Sequence, residues 1–574
     1  MHSSDSRSQQ DSATAESLAG ALEHEKPANG LAGLKHWRHD LLAGVVVSLV
    51  SLPLSSGIAI ASGAPPIYGL ISAIIAGLIY PALGGSYVTI SGPAAGLAPA
   101  LVAIMASLGG AGDAHQVGAG YYKLLAVISI VGVVQIVLGK FKLAKYVAVF
   151  PAAVVEGMLA AIGLLILVKA VPLLAGVVEP GHPHGFLEYA ALLPRWLSQG
   201  VRPALAVGLT TTVVMLLASS STFRKKRLFR YVPAHLWAVL VAVPLGAFVG
   251  LRAIDPALLI SVPANPLSGL HFPAFGEIFS DPSTWKAAAL GVVTLLLIDG
   301  VESIATAQAV DRIDPYQRTS DPDRVLLAMG VSNLASSLLG GLTVIPGGVK
   351  SKTNIEAGGR TLWSNFVNAL MLLAFLFVAP GLISRIPTAA LGGILVYTGW
   401  KMAHPSIARH LLKIGREQLL LYSVTLATTL LSDLLIGVAV GTLLKLILVL
   451  AYTQGSNAGT PRLGRLASFF RDPVHESIDE SGVATLQVKG PLVCFNSYWL
   501  KQHLADVGKV AQRIRIELTQ QVSIVDHTAA EVVQGAERYA LGHPVEVEGL
   551  LEMPSLGGDT SSSRLRPRAP SKPA

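Results

Sequence analysis

The sequence is short of three things. Of its 574 residues one is cysteine (Cys494), 14% are charged and 6% are aromatic. A single thiol excludes a disulfide framework and any cysteine-rich metal site. Soluble domains carry about 25% charged residues, so a chain this poor in charge is not an ordinary soluble domain. The histidines form no metal pattern either. His24, His36 and His39 precede the first long apolar run and His182 and His184 share a loop, none with a partner at i, i+4. No metal site is expected, and with no nucleophile–base pair in view, no enzyme chemistry.

What remains is hydrophobicity: 52% of residues, with mean hydropathy +0.56. Long apolar runs separated by short charged loops indicate an all-α polytopic membrane protein. Residues 1–34 are Ser/Ala/Gln-rich with mixed charge and lack the n-region, apolar core and cleavage site of a signal peptide. They are expected to be a disordered N-terminal tail.

The net charge of +8 suggests an acidic partner, but its distribution does not. Lys and Arg gather at residues 34–40, 139–146, 223–230, 310–324 and 401–417, while the loops at 109–120 and 379–385 are poor in both. That alternation is the positive-inside rule. It places the N-terminus and the C-terminal region in the cytoplasm, and no nucleic-acid partner is expected. Fourteen spans are predicted, at 40–62, 67–82, 88–107, 121–139, 146–172, 203–220, 233–251, 285–310, 325–340, 343–357, 361–379, 387–402, 418–434 and 435–453.

Spans 3 and 10 are irregular. "LGGSYVTISGPAAGL" begins at Leu83 and "LGGLTVIPGGVKSK" at Leu339, each an extended Val/Thr/Ile run closed by a Gly/Pro step. Extended backbone facing lipid would leave polar groups unpaired at several kcal/mol each, so such segments must be buried or line a wet cavity. A second echo joins Pro151, Ala153, Gly157, Leu159 and Gly163 to Pro387, Ala389, Gly393, Leu395 and Gly399. The two echoes are offset by 256 and 236 residues, in the same order along the chain. Seven spans per repeat is odd, so the second copy runs inverted, and matching discontinuous helices point to a transporter site near the bilayer midplane. Two half-helix N-termini meeting there would aim unpaired N–H groups at an anion. The candidate anion-binding backbone is Gly92, Pro93, Ala94 and Ala95, with Gly347, Gly348 and Val349. Pro93 is placed in the first helical turn.

The eighth span carries two acids, Asp299 and Glu302, three residues apart, with Thr306 one turn beyond Glu302. An intramembrane acid is a functional hypothesis by default. These three are candidates for holding a coupling ion, with Asp299 equally able to serve packing. Lys350 opens the second half-helix and would attract the anion.

At this point the residues resemble a family. "LPLSSGIAIASGAPPIYGL", "SGPAAG", "DGVESIATAQAVD" and "GGVKSKTNIEAGGRT", together with the C-terminal piece, are similar to the SulP anion transporters, relatives of the sulfate/anion exchangers and prestin. The resemblance runs from about residue 35 to 550. It implies two inverted seven-span repeats arranged as core and gate domains, an elevator-like movement, a cytoplasmic STAS domain and a homodimer. It also implies that Glu302 and Thr306 form the coupling position, with Na⁺ or H⁺ there, and that Lys350, where many members have Arg, and Ser351 belong to the substrate site. The chain departs from the family at Leu54, where many members have Gln, and at Ile58, where they have an aromatic.

Residues 35–455 are therefore expected to form the transport domain, 456–556 an α/β STAS domain and 557–574 a disordered tail. Asp526 and Thr528 fall in the STAS loop that is phosphorylated in some proteins, but Ala529 replaces its glycine. The expected activity is transport of a small oxyanion, bicarbonate or sulfate, across a bacterial inner membrane, with no cofactor beyond a coupling Na⁺ or H⁺. The alternatives are a nucleobase permease of the same architecture and a membrane-anchored STAS sensor or scaffold.

Overall fold

The computed structural model describes residues 26–112, 116–144, 150–177, 185–225, 232–263, 265–453, 462–479, 482–511, 513–540 and 542–566. The expectations for His24, His182 and His184 lie outside these residues, as do those for most of 223–230 and for the two extreme termini.

Each predicted span coincides with an element to within about six residues, except that the start of the fifth (146–149) lies outside the described residues. In chain order these are α1 (Trp37–Ala61), α2 (Pro66–Leu83), β1 (Ser91–Pro93) with α3 (Ala98–Ser107), α4 (Gly120–Lys140) and α5 (Ala152–Ala175). An amphipathic helix absent from the prediction, α6 (Gly185–Gln199), buries Trp196. Next come α7 (Arg202–Ser219), α8 (Ala234–Phe248), α9 (Pro282–Asp311) and α10 (Pro322–Leu338). The second irregular segment is β2 (Val344–Pro346) with α11 (Gly348–Glu356), followed by α12 (Trp363–Val378) and α13 (Thr388–Met402). A second unpredicted amphipathic helix, α14 (Ser406–Ile414), buries Leu411 and Ile414, and α15 (Arg416–Leu431) and α16 (Leu434–Thr453) complete the set. Among the described residues seven helices are long and apolar enough to cross a membrane: α1, α2, α4, α5, α7, α9 and α16.

The helices sort into two bundles. In the first, α10 packs on α4 and α2, α12 on α1 and α2, and α9 on α4. In the second, α13 packs on α5 and α7, α15 on α5 and α16, and α8 on α7. Helix α1 meets α13 and α8 at the seam between them.

Lipid supplies no hydrophobic force between helices, so close backbone approach at small residues carries the packing. A Cβ placed on Gly132 would lie 2.8 Å from the Gly330 carbonyl oxygen, and one on Gly330 would lie 2.7 Å from that of Gly132. In the second bundle Gly163 and Gly399 stand in the same mutual relation, at 2.7 and 2.5 Å. Gly163 and Gly399 are matching members of the second sequence echo, so the matching residues touch each other. Their companions agree: Gly157 faces the Tyr422 carbonyl of α15 at 2.7 Å, and Gly393 faces the Gly208 carbonyl of α7 at 2.6 Å.

The C-terminal unit is α/β, as its alternating pattern predicts. Strands β3 (Val474–Ile478), β4 (Val483–Val488), β5 (Arg513–Leu518) and β7 (Val545–Glu548) lie in that order, the first pair antiparallel and the others parallel. Helix α17 (Ser497–Val507) follows β4, and β6 (Ile524–Val525) leads into α18 (His527–Gln534). Inward residues Ala484, Leu486, Val488, Ile514, Ile516 and Leu518 make the core against Leu500, Leu504 and Val532. Asp526 caps α18, accepting from Ala529 N–H at 2.9 Å, and forms a buried ion pair with Lys445 of α16 at 3.0 Å. Burial pushes its carboxyl up, but Lys445 and the N–H groups of Ala529 and Cys494 outweigh this and hold it below the ordinary carboxylate range. The Cys494 thiol is buried.

Two boundaries differ from the prediction. Residues 26–34, expected in the tail, are held by the first bundle: Arg318 Nη1 donates to the Pro27 carbonyl at 2.6 Å, and Leu362 N–H donates to Asn29 Oδ1 at 3.1 Å. Residues 557–566, also expected to be disordered, carry β8 (Arg564–Leu565), antiparallel to β6. Composition hides both, because specific polar contacts rather than apolar area hold them.

Three outcomes test this packing. Gly132→Leu forces α4 and α10 apart and should destabilise the protein by about 1–3 kcal/mol, seen as a lower thermal midpoint in detergent. Lys445→Met leaves the Asp526 carboxylate buried without its cation, at about 3–5 kcal/mol, and adding Asp526→Asn should recover part of the lost midpoint. Asp526 has a depressed folded-state value, so its contribution is full above about pH 4. It should fade only as pH falls further, and a melt series from pH 7 to 3 checks that.

Candidate functional site

The two irregular segments satisfy each other. Strands β1 and β2 pair antiparallel, with Ser91 opposite Pro346, Gly92 opposite Ile345 and Pro93 opposite Val344. Gly347 N–H donates to the Ile90 carbonyl at 2.7 Å, and Ile90 N–H donates to Ser351 Oγ at 2.9 Å. Asn354 Nδ2 reaches the Val88 carbonyl at 2.8 Å. Backbone that lipid could not have solvated is thus paired inside the protein.

The second break matches the sequence reading: α11 begins at Gly348, immediately after β2. Helix geometry leaves the N–H groups of Gly348, Val349 and Lys350 without intrahelical acceptors. The first break needs a correction. Pro93 is not in a helical turn but ends β1, and α3 starts only at Ala98, after a turn at Ala95–Leu97. The ring locks φ near the value a strand end also tolerates, so proline alone did not distinguish the two. Gly92 and Pro93 therefore contribute strand backbone, and Ala94 and Ala95 the link that follows it. Helix α11 also differs from the apolar half-helix expected, since Lys350, Ser351, Thr353 and Asn354 are all buried.

Lys350 is 1% exposed. Its Nζ lies against Gly92, where any Cβ would collide with it, and has one long hydrogen bond, 3.3 Å to Ser55 Oγ of α1. Glu302 is 8% exposed, and its carboxylate lies against Gly96, where a Cβ would stand 2.6 Å from Cδ. Its Oε2 is buried with no hydrogen-bond partner. The fully paired buried charges are elsewhere, at Asp314–Arg318 and Lys445–Asp526. Among the described residues Lys350 has no carboxylate within ion-pair distance, and Glu302 has no cation. An unpaired buried charge is costly, and among the described residues neither group has an oppositely charged partner. Thr306 stands one turn beyond Glu302 with its methyl facing the start of α11, 3.6 Å from a Cβ built on Gly348.

Asp299 is different. Its carboxylate accepts from Gln135 Nε2 at 2.8 Å, Asn333 Nδ2 at 3.0 Å and Ser303 Oγ at 3.2 Å. Asn333 Oδ1 in turn accepts Val344 N–H at 2.7 Å, so this network fastens β2 to α4, α9 and α10. The sequence reading joined Asp299 with Glu302 because they share a helix face; the tertiary partners separate them. It did not single out Ser55, Gly96, Gln135 or Asn333. Gln135, a lone amide in the run "VGVVQIVL", carries the same signal as the acids, a polar group within an apolar span. The others become visible only from what they touch.

The lining from α1 is apolar. Leu54 and Ile58 join Met215, Ala238 and Ile394 of the second bundle in one buried cluster, with Ala95 and Val349 packed against it. The site therefore lies where the two bundles face each other.

Two chain breaks paired inside a two-bundle helical fold that also carries an α/β unit define a polytopic membrane protein. The chain belongs to the sulfate permease family, whose model matches residues 37–425. It is 28% identical to YvdB of Bacillus subtilis over 508 residues, covering 88% of this chain and 89% of that protein. It is 27% identical over 416 residues to the bicarbonate transporter BicA of Picosynechococcus, covering 72% of this chain and 70% of that one. Its fold matches the murine Solute Carrier 26 family member A9 anion transporter in the inward-facing state, with TM-score 0.62 at 17% identity, over 89% of this chain and 84% of that one.

The two acids should separate by experiment. Asp299→Ala strands two buried amides and should lower stability by about 1–3 kcal/mol, read as the thermal midpoint in detergent. Glu302→Gln, which removes an unpaired charge, should leave that midpoint within about 0.5 kcal/mol or raise it.

Proposed function

We propose that this protein is a secondary active transporter of small inorganic oxyanions, bicarbonate or sulfate, in the bacterial inner membrane. The observation that carries the reading is Lys350, a buried ammonium without a carboxylate partner at the head of α11, pressed against the opposing strand at Gly92. A buried cation held this way, next to free helix N–H groups, favours an anion. The anion sits against Gly92, Pro93, Ala94 and Ala95 on one side and Gly347, Gly348, Val349, Lys350 and Ser351 on the other. Glu302 and Thr306 hold the coupling Na⁺ or H⁺, and Asp299 keeps β2 in place beneath them.

Fourteen spans in two inverted seven-span repeats account for the mutual contact of Gly163 with Gly399. A two-fold axis brings equivalent residues together in this way. The first bundle is then the moving core and the second the gate, with alternating access by an elevator-like displacement. The C-terminal unit is a STAS domain that serves a homodimer, and both termini are cytoplasmic, in keeping with the placement of Lys and Arg.

The test is uptake of labelled bicarbonate and sulfate into proteoliposomes at varied pH and sodium. Lys350→Met should reduce uptake at least about tenfold, since a charge-assisted contact contributes about 1.5–3 kcal/mol. Glu302→Gln should abolish dependence on the coupling cation. Wild-type uptake by both variants overturns the assignment of these residues. Nucleobase flux points instead to a permease for neutral solutes, and flux of no solute to a membrane-anchored sensor or scaffold.

A further inference from the structure

The transport reading leaves the charge of the anion open, and the site bears on it. Ten Asp, Glu, Lys and Arg side chains are buried among the described residues. Eight of them are tied elsewhere by hydrogen bonds or ion pairs, for example Asp40 to Thr361 Oγ1 at 2.6 Å and Asp311 to Ser320 Oγ at 2.7 Å. The two left over are Lys350, which has only its long bond to the neutral Ser55 hydroxyl, and Glu302, one of each sign. When the coupling cation or proton neutralises Glu302, a single positive charge remains for the substrate.

The surroundings add little to it. Ser55, which bonds Lys350, is a neutral hydroxyl. The start of α11 contributes about half a unit of positive charge. Leu54, Ile58, Ala95 and Val349 form an apolar wall with Met215 and Ile394, and none of their side chains can donate a hydrogen bond to an anionic oxygen.

From this charge balance and this wall we infer that the site selects a monovalent anion, of the bicarbonate class, over a divalent oxyanion such as sulfate. The inference rests on the transport reading and deepens it. A monoanion beside the Lys350 ammonium makes a neutral buried pair. A dianion leaves one negative charge uncompensated, and the Born cost of desolvating it is about four times that of a monoanion of equal size, because it grows as the square of charge. The bidentate fork that suits a tetrahedral dianion is also missing, since lysine presents a point charge where arginine presents a planar pair of donors.

The experiment uses the full chain in proteoliposomes, with labelled bicarbonate taken up in the presence of unlabelled formate, nitrate or sulfate, and labelled sulfate uptake measured in parallel. Formate and nitrate should compete, and sulfate should be weaker as competitor and as substrate by at least about tenfold. Sulfate uptake with kcat/KM equal to or above that of bicarbonate overturns the inference and leaves the transport reading standing. Flux of neither anion overturns both. Leu54→Lys, which puts a second cation on the wall, should shift the sulfate-to-bicarbonate ratio toward sulfate by about tenfold or more. An unchanged ratio in a folded, active Leu54→Lys protein also counts against the charge argument.

Discussion

Backbone polar groups have no partner in lipid, and the architecture follows from how this chain meets that constraint at two places. Where spans 3 and 10 leave the helix, they hydrogen-bond to each other. The β1–β2 pairing, the Gly347–Ile90 bond and the side-chain ties from Ser351 and Asn354 close the ladder that each segment alone would leave open. The pairing also fixes where the free N–H groups at the start of α11 point. The site is a by-product of satisfying the backbone.

Around that crossing, polar side chains divide into those that hold it and those that are held ready. Asp299, Gln135 and Asn333 saturate one another and grip Val344. Glu302 and Lys350 lie close to the same strands, each against a glycine that leaves room for its charged end, and among the described residues neither is paired with an opposite charge. A saturated network resists deformation, whereas an unsaturated charge is stabilised by whatever binds it. A saturated and an unsaturated acid therefore sit a turn apart on α9.

The second bundle and the C-terminal unit share a firm attachment. Lys445 and Asp526 are both buried, and the Thr528 hydroxyl accepts Ala152 N–H at the start of α5 at 3.3 Å. One link from the C-terminal unit to the first bundle, Arg312 with Glu531 at 3.2 Å, is partly exposed. Exposed pairs contribute about 0–1 kcal/mol, far less than a buried pair costs to break. The buried pair thus fastens the unit to the second bundle.

Much of this was legible in the chain itself. Apolar periodicity located the helices because their burial is written into composition, and the Gly/Pro steps marked both breaks because few other residues permit them. The echo from Pro151 to Gly163 and from Pro387 to Gly399 was visible in the sequence, and in the structure its last glycines touch. Local sequence could not say that Pro93 ends a strand rather than starting a helix, since its fixed φ suits both. Nor could it say which of Asp299 and Glu302 is spoken for, because that depends on Gln135 and Asn333, brought from 164 and 34 residues away. Residue type and spacing determined that charge would be buried here; which charges stay unpaired was decided only by tertiary packing, since pairing is a property of neighbours in space and not along the chain.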